Sequence, residues 1–352
     1  MSRFLSERFS ELRAFVPGEQ PRDRQYIKLN TNESPYPPAP QVTAAVNGDA
    51  ISKLRLYGDP ENRLLRESIG AFLGLPPSRI FAANGSDEVL SYIFMAFCDK
   101  DIGVSFPDIS YGFYNVYADL YGLSKHEIPL NEDFSLEIAD YFNLGTTIVL
   151  ANPNAPTGLC ISRADIESIV KANPNNIVAI DEAYIDFGGE SALPLTEKYD
   201  NLLVVQTFSK SRSMAGARLG FAIGCEGLIA DLERLRFSNN PFNINSLSSA
   251  AGIAAIEGQA YYDKNTAEII QTRDYSTKKL QELGFILTKS ETNFLFLRHP
   301  KVEGRELYSG LRERGILVRH FDKPRTRDYV RITVGTPPQM EQLISALQEL
   351  VS

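Results

Sequence analysis

Between about residue 60 and residue 255, short apolar runs alternate with segments whose apolar residues recur at helical spacing. Runs rich in Val and Ile are typical of strands buried on both faces, and the periodic segments are typical of amphipathic helices. This alternation requires crossover connections and predicts an α/β fold with a mostly parallel sheet between helices. The predicted strands cover residues 80–83, 102–105, 147–150, 177–180, 202–205 and 221–223.

The pattern changes at both ends of the chain. After about residue 260, a long helix ending at Gly284 precedes short strands at 286–287, 294–297, 316–318 and 329–332 and a final amphipathic helix. Near the amino terminus, apolar residues at helical spacing predict a short helix within residues 1–24: Phe4, Leu5, Phe9, Leu12 and Phe15. The prolines of residues 35–40 predict an arm that lies across a surface or a partner.

The composition of the chain excludes several classes of binding partner. The 36 basic and 44 acidic residues give a net charge of -8, so neither nucleic acid nor an anionic membrane is an expected partner. Cys98, Cys160 and Cys225 lack metal or redox spacing and are expected to be free thiols of a cytoplasmic protein. Charges and two prolines in residues 1–24 exclude a signal peptide or spanning helix there.

The strongest candidate for chemistry follows the apolar run 202–205, where Lys210 lies in the predicted turn and Arg218 precedes the next strand. Ligands bind at the carboxyl ends of strands in open α/β sheets, so both cations are expected in one cleft. Such a lysine can attack an aldehyde, and the arginine can bind a phosphate. An isolated lysine would more simply be a solvated surface residue.

This pair resembles the pyridoxal 5'-phosphate attachment segment of the fold type I aminotransferases, in which the lysine binds the cofactor covalently. Further segments occur in the order typical of that family: 84–88 (NGSDE), 111–114 (YGFY), 152–158 (NPNAPTG) and 181–184 (DEAY). Segments 30–36, 56–60 and 331–336 are most similar to the histidinol-phosphate aminotransferase family, and the resemblance spans residues 28–350.

The resemblance implies a large mostly parallel α/β/α sandwich domain and a smaller α+β domain. We expect residues 1–45 to form a helix and arm that join the small domain and a dimer partner. Residues 46–258 then form the large cofactor-binding domain, and residues 259–352 the small carboxyl-terminal domain. The implied substrates are a phosphorylated amine or amino acid and a 2-oxo acid, with histidinol phosphate and 2-oxoglutarate preferred.

Three residues carry the implied chemistry. Asp181 follows a buried strand, where a charge is costly unless paired, and would hold the protonated ring nitrogen of the cofactor. Tyr184 would donate its hydroxyl to the phenolate oxygen. Lys210 would bind the cofactor and carry the substrate's α-proton. Taken alone, Asp181 could be a cap and Tyr184 a core residue.

The other implied cofactor contacts surround the phosphate. Arg218 and the Ser209 hydroxyl would bind it together with backbone N–H groups of Gly85, Ser86 and Asp87 at a helix start. We expect the Asp87 side chain to turn away into the helix start, because its carboxylate would repel a phosphate; a plain helix cap is the alternative.

Three aromatic or amide positions complete the expected cofactor site. Tyr111 would stack on the pyridine ring, whereas Tyr114 and Tyr117 are expected in the core. Tyr57 would reach the neighbouring subunit's phosphate in a homodimer with shared active sites. The family has Asn immediately before Pro-Thr-Gly where this chain has Ala155. Either Asn154 or Asn152 reaches in from a shifted loop or that hydrogen bond is missing, and of these we expect Asn154 to supply the donor.

The substrate would be bound by Arg331, with Tyr36 covering it and Asn293 and Arg319 nearby, although Arg331 alone could be an ordinary ion pair. Threonine-phosphate decarboxylases and aromatic amino-acid aminotransferases share most of these segments and stay open as alternatives. A non-enzymatic regulator is not expected, because the resemblance begins near residue 28 and the chain is acidic. Dinucleotide and P-loop fingerprints are absent, and the three histidines lack metal-ligand spacing, so no metal is predicted.

Overall fold

The computed structural model describes residues 3–9, 12 and 14–352. The strands are β1 Ile27–Lys28, β2 Ile80–Ala83, β3 Val104–Pro107, β4 Lys125–Ile128, β5 Thr147–Ala151, β6 Val178–Asp181, β7 Leu202–Thr207, β8 Gly220–Ile223, β9 Ile286–Leu287, β10 Phe294–Arg298, β11 Ile316–Leu317, β12 Arg319–His320 and β13 Tyr329–Thr333. The helices are α1 Pro40–Ala45, α2 Gly48–Ser52, α3 Arg63–Leu73, α4 Ser86–Phe97, α5 Phe113–Tyr121, α6 Arg163–Ala172, α7 Glu226–Asn239, α8 Ser246–Glu257, α9 Gln259–Glu282, α10 Gly304–Glu313 and α11 Pro337–Val351.

A seven-stranded sheet with strand order β2-β8-β7-β6-β5-β3-β4 forms the centre of the molecule. Its strands from β7 to β4 run parallel, whereas β8 is antiparallel to both of its neighbours. The chain returns from β7 to β8 through the loop that carries Lys210 and Arg218, without a crossover helix, and this direct return reverses the strand direction.

Both faces of the central strands of this sheet are buried. Along β5 and β6, Ile148, Leu150, Val178 and Ile180 belong to one apolar cluster, whereas Val149 and the other alternate residues belong to the cluster on the opposite face. This is the period of two expected for a strand with helices on each side. The continuous apolar runs in the sequence therefore have a direct structural cause.

The carboxyl-terminal part contains a four-stranded antiparallel sheet of order β12-β13-β10-β9, and β1 pairs in parallel with β11. The helices α9, α10 and α11 contribute buried residues to the core beneath this sheet, among them Ile269, Leu307 and Leu343. The proline-rich segment after β1 runs along the start of α9, where the Tyr262 hydroxyl accepts from the Ala39 N–H at 2.9 Å.

Several sequence expectations need correction. In the described residues before β1, the only helical turn is a 3₁₀ turn at Glu7–Phe9, and residues 10, 11 and 13 of the predicted helix lie outside the described part. The edge strand β4 was missed because its sequence is polar and exposed. None of the helices in the described ranges combines the length and apolar character needed to cross a membrane.

Candidate active site

A cavity of about 220 Å³ opens at the carboxyl ends of β5, β6 and β7. Ligands bind at this edge of α/β sheets. Thr31 and Glu33, which follow β1, form part of its wall although no pattern in the sequence predicted this. The predicted site residues that line it are Ser86, Asp87, Tyr111, Asp181, Tyr184, Ser209, Lys210 and Arg218.

Lys210 lies in the turn after β7 and is half-buried. Its Nζ donates to the carbonyl oxygen of Thr31 at 3.4 Å and lies 5.7 Å from the centre of the Tyr184 ring. The amine therefore points into the cavity between the end of the sheet and the segment after β1. A hydrogen bond of this length is weak, so the amine can be redirected to a ligand.

Asp181 ends β6 and is 5% exposed. Its Oδ2 accepts from the Tyr114 hydroxyl at 2.9 Å, and its Oδ1 accepts from the Ala183 N–H at 3.2 Å. Burial raises the pKa of this carboxyl to about 6, while the Tyr114 hydrogen bond acts in the opposite direction. A buried carboxylate with this support is suited to pair with a cationic group in the cavity.

Three tyrosines spaced three residues apart surround the acidic groups of the cavity. The Tyr111 hydroxyl donates to Asp87 Oδ1 at 2.7 Å, and the Tyr117 hydroxyl donates to the Asp87 carbonyl oxygen at 2.8 Å. Tyr114 and Tyr117 do pack in the core, as expected, but their hydroxyls also reach the site. Tyr114 and Tyr117 are three residues apart on α5 and so share a helical face, and this spacing was the signal that could have revealed their common direction.

Asp87 and Arg218 form an ion pair, with 2.7 Å between Oδ2 and the guanidinium. The expectation that the Asp87 side chain turns into the helix start is therefore wrong. Its carboxylate faces the cavity because Arg218 and Tyr111 both donate to it. Glu88 instead supports the helix start, since its Oε2 accepts from the Asn84 N–H at 2.6 Å.

The backbone at the start of α4 is closely packed against Arg218 and β8. Gly85 has φ +88°, and a Cβ there would lie 2.7 Å from the Arg218 guanidinium. A Cβ on Gly220 would lie 2.3 Å from the Ser86 nitrogen. The unpaired N–H groups of this helix start, with Arg218 and the Ser209 hydroxyl, make a donor set that fits a phosphate group.

Tyr184 is bound by a residue of the segment that follows β1. Its hydroxyl oxygen accepts from Asn32 Nδ2 at 2.8 Å, and its ring packs edge-on against Phe294 at 5.2 Å between centroids. Asn32 was not predicted as a site residue, and its contact joins the large sheet to the segment beside the small sheet.

Asn154 is not among the residues that line this cavity. Its Nδ2 donates at 3.0 Å both to the Ile109 carbonyl oxygen and to Thr157 Oγ1, and its Oδ1 accepts from Ser110 Oγ at 2.8 Å. Both amide hydrogens are engaged within the loop, so the expectation that Asn154 reaches a cofactor is not supported. Ala155 lines the cavity instead.

Two predicted substrate residues hold the segment after β1. Arg331 donates to the Asn30 carbonyl oxygen at 3.1 Å, and Asn293 Nδ2 donates to the Asn32 carbonyl oxygen at 3.0 Å. Burial lowers the pKa of Arg331, and the nearby Arg319 acts in the same direction. Within the described ranges, Arg331 Nε and Asn293 Oδ1 are buried without hydrogen-bond partners.

The remaining predicted residues lie away from the cavity. Tyr36 interacts with Glu268 on α9. Arg319 donates to the Val16 and Pro17 carbonyl oxygens at 3.2 and 3.3 Å, beside a separate groove of about 760 Å³. Tyr57 is 84% exposed and stacks on Phe242 with 4.6 Å between ring centroids. In the part of the chain that the structure describes, no His, Cys, Asp and Glu group has an arrangement that could hold a metal.

Comparison with known proteins identifies the family. The model of the family described as aminotransferase class I and II matches residues 24–347. The chain belongs to this family. It is 48% identical over 351 residues to histidinol-phosphate aminotransferase 1 of Bradyrhizobium diazoefficiens, with 100% of both chains covered. It is 46% identical over 353 residues to histidinol-phosphate aminotransferase of Acinetobacter baylyi, covering 99% of this chain and 98% of that protein.

A solved aminotransferase structure agrees with this assignment. The crystal structure of histidinol-phosphate aminotransferase from Sinorhizobium meliloti in complex with pyridoxal-5'-phosphate has a TM-score of 0.88, is 25% identical and covers 99% of both chains. The predicted family, the fold type I aminotransferase class and aminotransferase activity are thereby confirmed. The domain boundaries at residues 45/46 and 258/259 and the roles of individual site residues stay predictions.

Proposed function

We propose that this aminotransferase uses pyridoxal 5'-phosphate to transfer the amino group of histidinol phosphate to 2-oxoglutarate. The supporting observation is that the Lys210 amine, the Asp181 carboxylate and the Tyr184 hydroxyl line one cavity with a phosphate donor set at its end. These groups match the aldehyde, ring nitrogen, phenolate oxygen and phosphate of the cofactor. Relatives at 46–48% identity bear the name histidinol-phosphate aminotransferase.

Different residues around the cavity bind different parts of the cofactor. Arg218, the Ser209 hydroxyl and the backbone N–H groups of Ser86 and Asp87 bind its phosphate, whereas the Gly85 N–H already donates to the Ala83 carbonyl oxygen. Arg218 can keep its contact with Asp87 at the same time, because a guanidinium carries five donors. Tyr111 covers one face of the ring and is itself fixed by Asp87.

The chain's own residues then direct the chemistry. When bound, pyridoxal phosphate supplies an electron sink, which requires a protonated ring nitrogen. Asp181 keeps that nitrogen protonated with its ionised carboxylate, held by Tyr114 and the Ala183 N–H. The Nζ of Lys210 takes the proton from the substrate's α-carbon and later returns it, which is general acid–base catalysis.

The substrate's phosphate is assigned to Arg331. Within the described residues, its guanidinium has no carboxylate at ion-pair distance, although burying an unpaired cation is costly. An anionic ligand supplies the missing charge and accepts from Nε. We expect Arg331→Gln to raise the KM for histidinol phosphate by about 10- to 100-fold, with an unchanged visible spectrum of the bound cofactor.

The active unit is proposed to be a homodimer with shared sites. Tyr57 ends a segment in which Ile51, Leu54 and Leu56 are each about half exposed, and it stacks on Phe242, which is 43% exposed. Exposed apolar segments of this kind mark interaction surfaces in water. A second copy that covers the segment would bring Tyr57 to the partner's phosphate site.

We also assign the enzyme to the cytoplasm. Cys98, Cys160 and Cys225 are free, and burial raises the pKa of Cys98 and Cys160 to about 12, so both stay protonated. Unpaired thiols are typical of reducing compartments.

The test uses purified enzyme supplied with pyridoxal phosphate and 2-oxoglutarate. Histidinol phosphate is expected to yield glutamate, whereas threonine phosphate is expected to release no carbon dioxide. Lys210→Ala should lose at least about a thousandfold in kcat together with the visible cofactor band that borohydride bleaches. The control is Lys100→Ala, which removes an exposed lysine. Carbon dioxide from threonine phosphate without glutamate formation would contradict the proposal.

A further inference from the structure

Asn32 occupies a backbone conformation that few residues tolerate. Its φ is +56°, in the left-handed region, although it is a non-glycine residue that is 1% exposed. Such conformations cost energy for residues with a Cβ, and Asn tolerates them better than most. A strained buried residue persists only when its surroundings hold it in place.

Hydrogen bonds hold Asn32 at each of its polar groups. Its N–H donates to Thr333 Oγ1 at 2.9 Å, and its carbonyl oxygen accepts from Asn293 Nδ2 at 3.0 Å. In the side chain, Oδ1 accepts from Thr333 Oγ1 at 3.2 Å, and Nδ2 donates to the Tyr184 hydroxyl oxygen at 2.8 Å.

The amide orientation in the structure is consistent with the hydrogen bonds of Thr333. Thr333 Oγ1 accepts the backbone N–H of Asn32, so its own proton is available for Asn32 Oδ1. The structure places the NH₂ group toward Tyr184. Because that group is a donor, it occupies a lone pair of the tyrosine oxygen and cannot take the hydroxyl proton. The proton of Tyr184 is left free to point into the cavity.

We propose that Asn32 is a positioning residue that aims the Tyr184 hydroxyl proton at the acceptor oxygen of a ligand bound in the cavity. This inference rests on the proposed function, in which that acceptor is the cofactor's phenolate oxygen. This position requires a residue that tolerates a left-handed backbone and has a side-chain donor, and Asn satisfies both requirements. Gly would adopt the backbone conformation but lacks the amide, and an Asp side chain would present only acceptors. Ala155, which lines the same cavity, has no side-chain donor that could replace it.

Asn32→Gly isolates the amide, because glycine relieves the backbone strain while it removes the donor. Asn143→Gly is the matched control, since Asn143 also has a left-handed φ of +54° but lies exposed. Asn32→Asp reverses the contact, because its carboxylate accepts the Tyr184 proton. The measurements are the dissociation constant of pyridoxal phosphate and the pH midpoint of the visible absorption change of bound cofactor.

A phenolate oxygen that loses its donor binds a proton more tightly, so the midpoint rises. We expect a rise of about 0.5 to 1 pH unit and about fivefold weaker cofactor binding for Asn32→Gly, and a larger rise for Asn32→Asp. Asn143→Gly should match the wild type. Adding Ala155→Asn to Asn32→Gly supplies a new donor and should return the midpoint toward the wild-type value.

The outcomes separate the inference from the function on which it rests. Midpoints and affinities of both Asn32 variants equal to those of the wild type would overturn the role of Asn32 and leave the aminotransferase proposal standing. A wild-type protein that binds no pyridoxal phosphate would overturn both. Asn32→Asp keeps the test decisive even where Asn32→Gly lowers stability, because Asp retains the side-chain volume and tolerates the left-handed backbone.

Discussion

The Asp181 carboxylate lowers the stability of the protein that has no cofactor bound. Its pKa is about 6 in the folded chain because it is buried, whereas a carboxyl of this type in an unfolded chain titrates near 4. Between these values the folded protein binds more protons than the unfolded chain, so the free energy of unfolding falls as the pH rises. Above about pH 6 the buried carboxylate lowers the free energy of unfolding by its full amount, roughly 2–3 kcal/mol for this difference in pKa.

Asp181→Asn is therefore expected to stabilise the cofactor-free protein at pH 8 by about 1–3 kcal/mol and to change it little at pH 4. Urea unfolding at both pH values measures the difference. The same substitution should weaken pyridoxal phosphate binding at least about tenfold, because the neutral amide cannot pair with a cationic ring nitrogen. Asp101→Asn, at an exposed aspartate, serves as the control. A variant less stable than the wild type at pH 8 would contradict this account.

Individual site residues differ in how far the sequence could predict their positions. Asp181 and Lys210 line one cavity because each follows an apolar run whose direction in a parallel sheet is fixed. The contact of the Tyr114 hydroxyl with Asp181 was not predicted, and the direction of the Asp87 carboxylate was predicted wrongly, since both depend on how α4 and α5 pack against each other. The spacing of residues along a helix indicates which side chains lie on the same helical face. It does not determine which residue of another element each side chain contacts.

At the scale of elements, the contact between β8 and the start of α4 sets the geometry of the proposed phosphate site. Gly220 begins β8, and its Cα lies so close to the α4 start that an added Cβ would meet Gly85 carbon at 2.5 Å and Ser86 nitrogen at 2.3 Å. Both atoms are backbone, so the clash can be relieved only by moving the helix away from the sheet. The phosphate donors move with it.

Gly220→Ala is expected to cost about 1–3 kcal/mol in the free energy of unfolding and to weaken pyridoxal phosphate binding about tenfold or more. Chemical denaturation and cofactor titration measure the two effects. Gly216→Ala is the matched control, because nothing lies within 4 Å of a Cβ at that position in the same loop region. Equal cofactor affinity in the two variants would show that the α4 start does not bind the phosphate.

The predicted strands of the large sheet match the structure to within about two residues, because runs buried on both faces are continuous and apolar. The polar edge strand β4 carries no such signal. Of the predicted amino-terminal helix, the described residues form only the 3₁₀ turn Glu7–Phe9, and Leu12, Ala14 and Phe15 are not helical, since apolar spacing indicates a helix only where a core exists to bury that face.

For the whole molecule, the cavity joins parts of the chain that are distant in sequence. Residues 30–33 are held by Asn293, Arg331 and Thr333 beside the small sheet, and they reach Tyr184 and Lys210 on the large sheet. The small sheet therefore positions the groups that act in the cavity. Residues at strand ends were therefore easier to predict from the sequence than the residues contributed by distant segments, such as Thr31 and Asn32.

The proposed shared site makes activity depend on which chains pair. In a dimer of one Lys210→Ala chain and one Tyr57→Phe chain, the site built on the intact Lys210 receives the intact Tyr57 from its partner. After the two variants are unfolded and refolded together in equal amounts, half of the dimers are mixed and about a quarter of all sites regain both residues. Activity at limiting pyridoxal phosphate should then rise to about a quarter of the wild-type value, well above the average of the separate variants.

If Tyr57 instead acted within its own chain, every site would keep a defect and mixing would restore nothing. Tyr57→Phe retains the ring that stacks on Phe242, so the comparison isolates the hydroxyl.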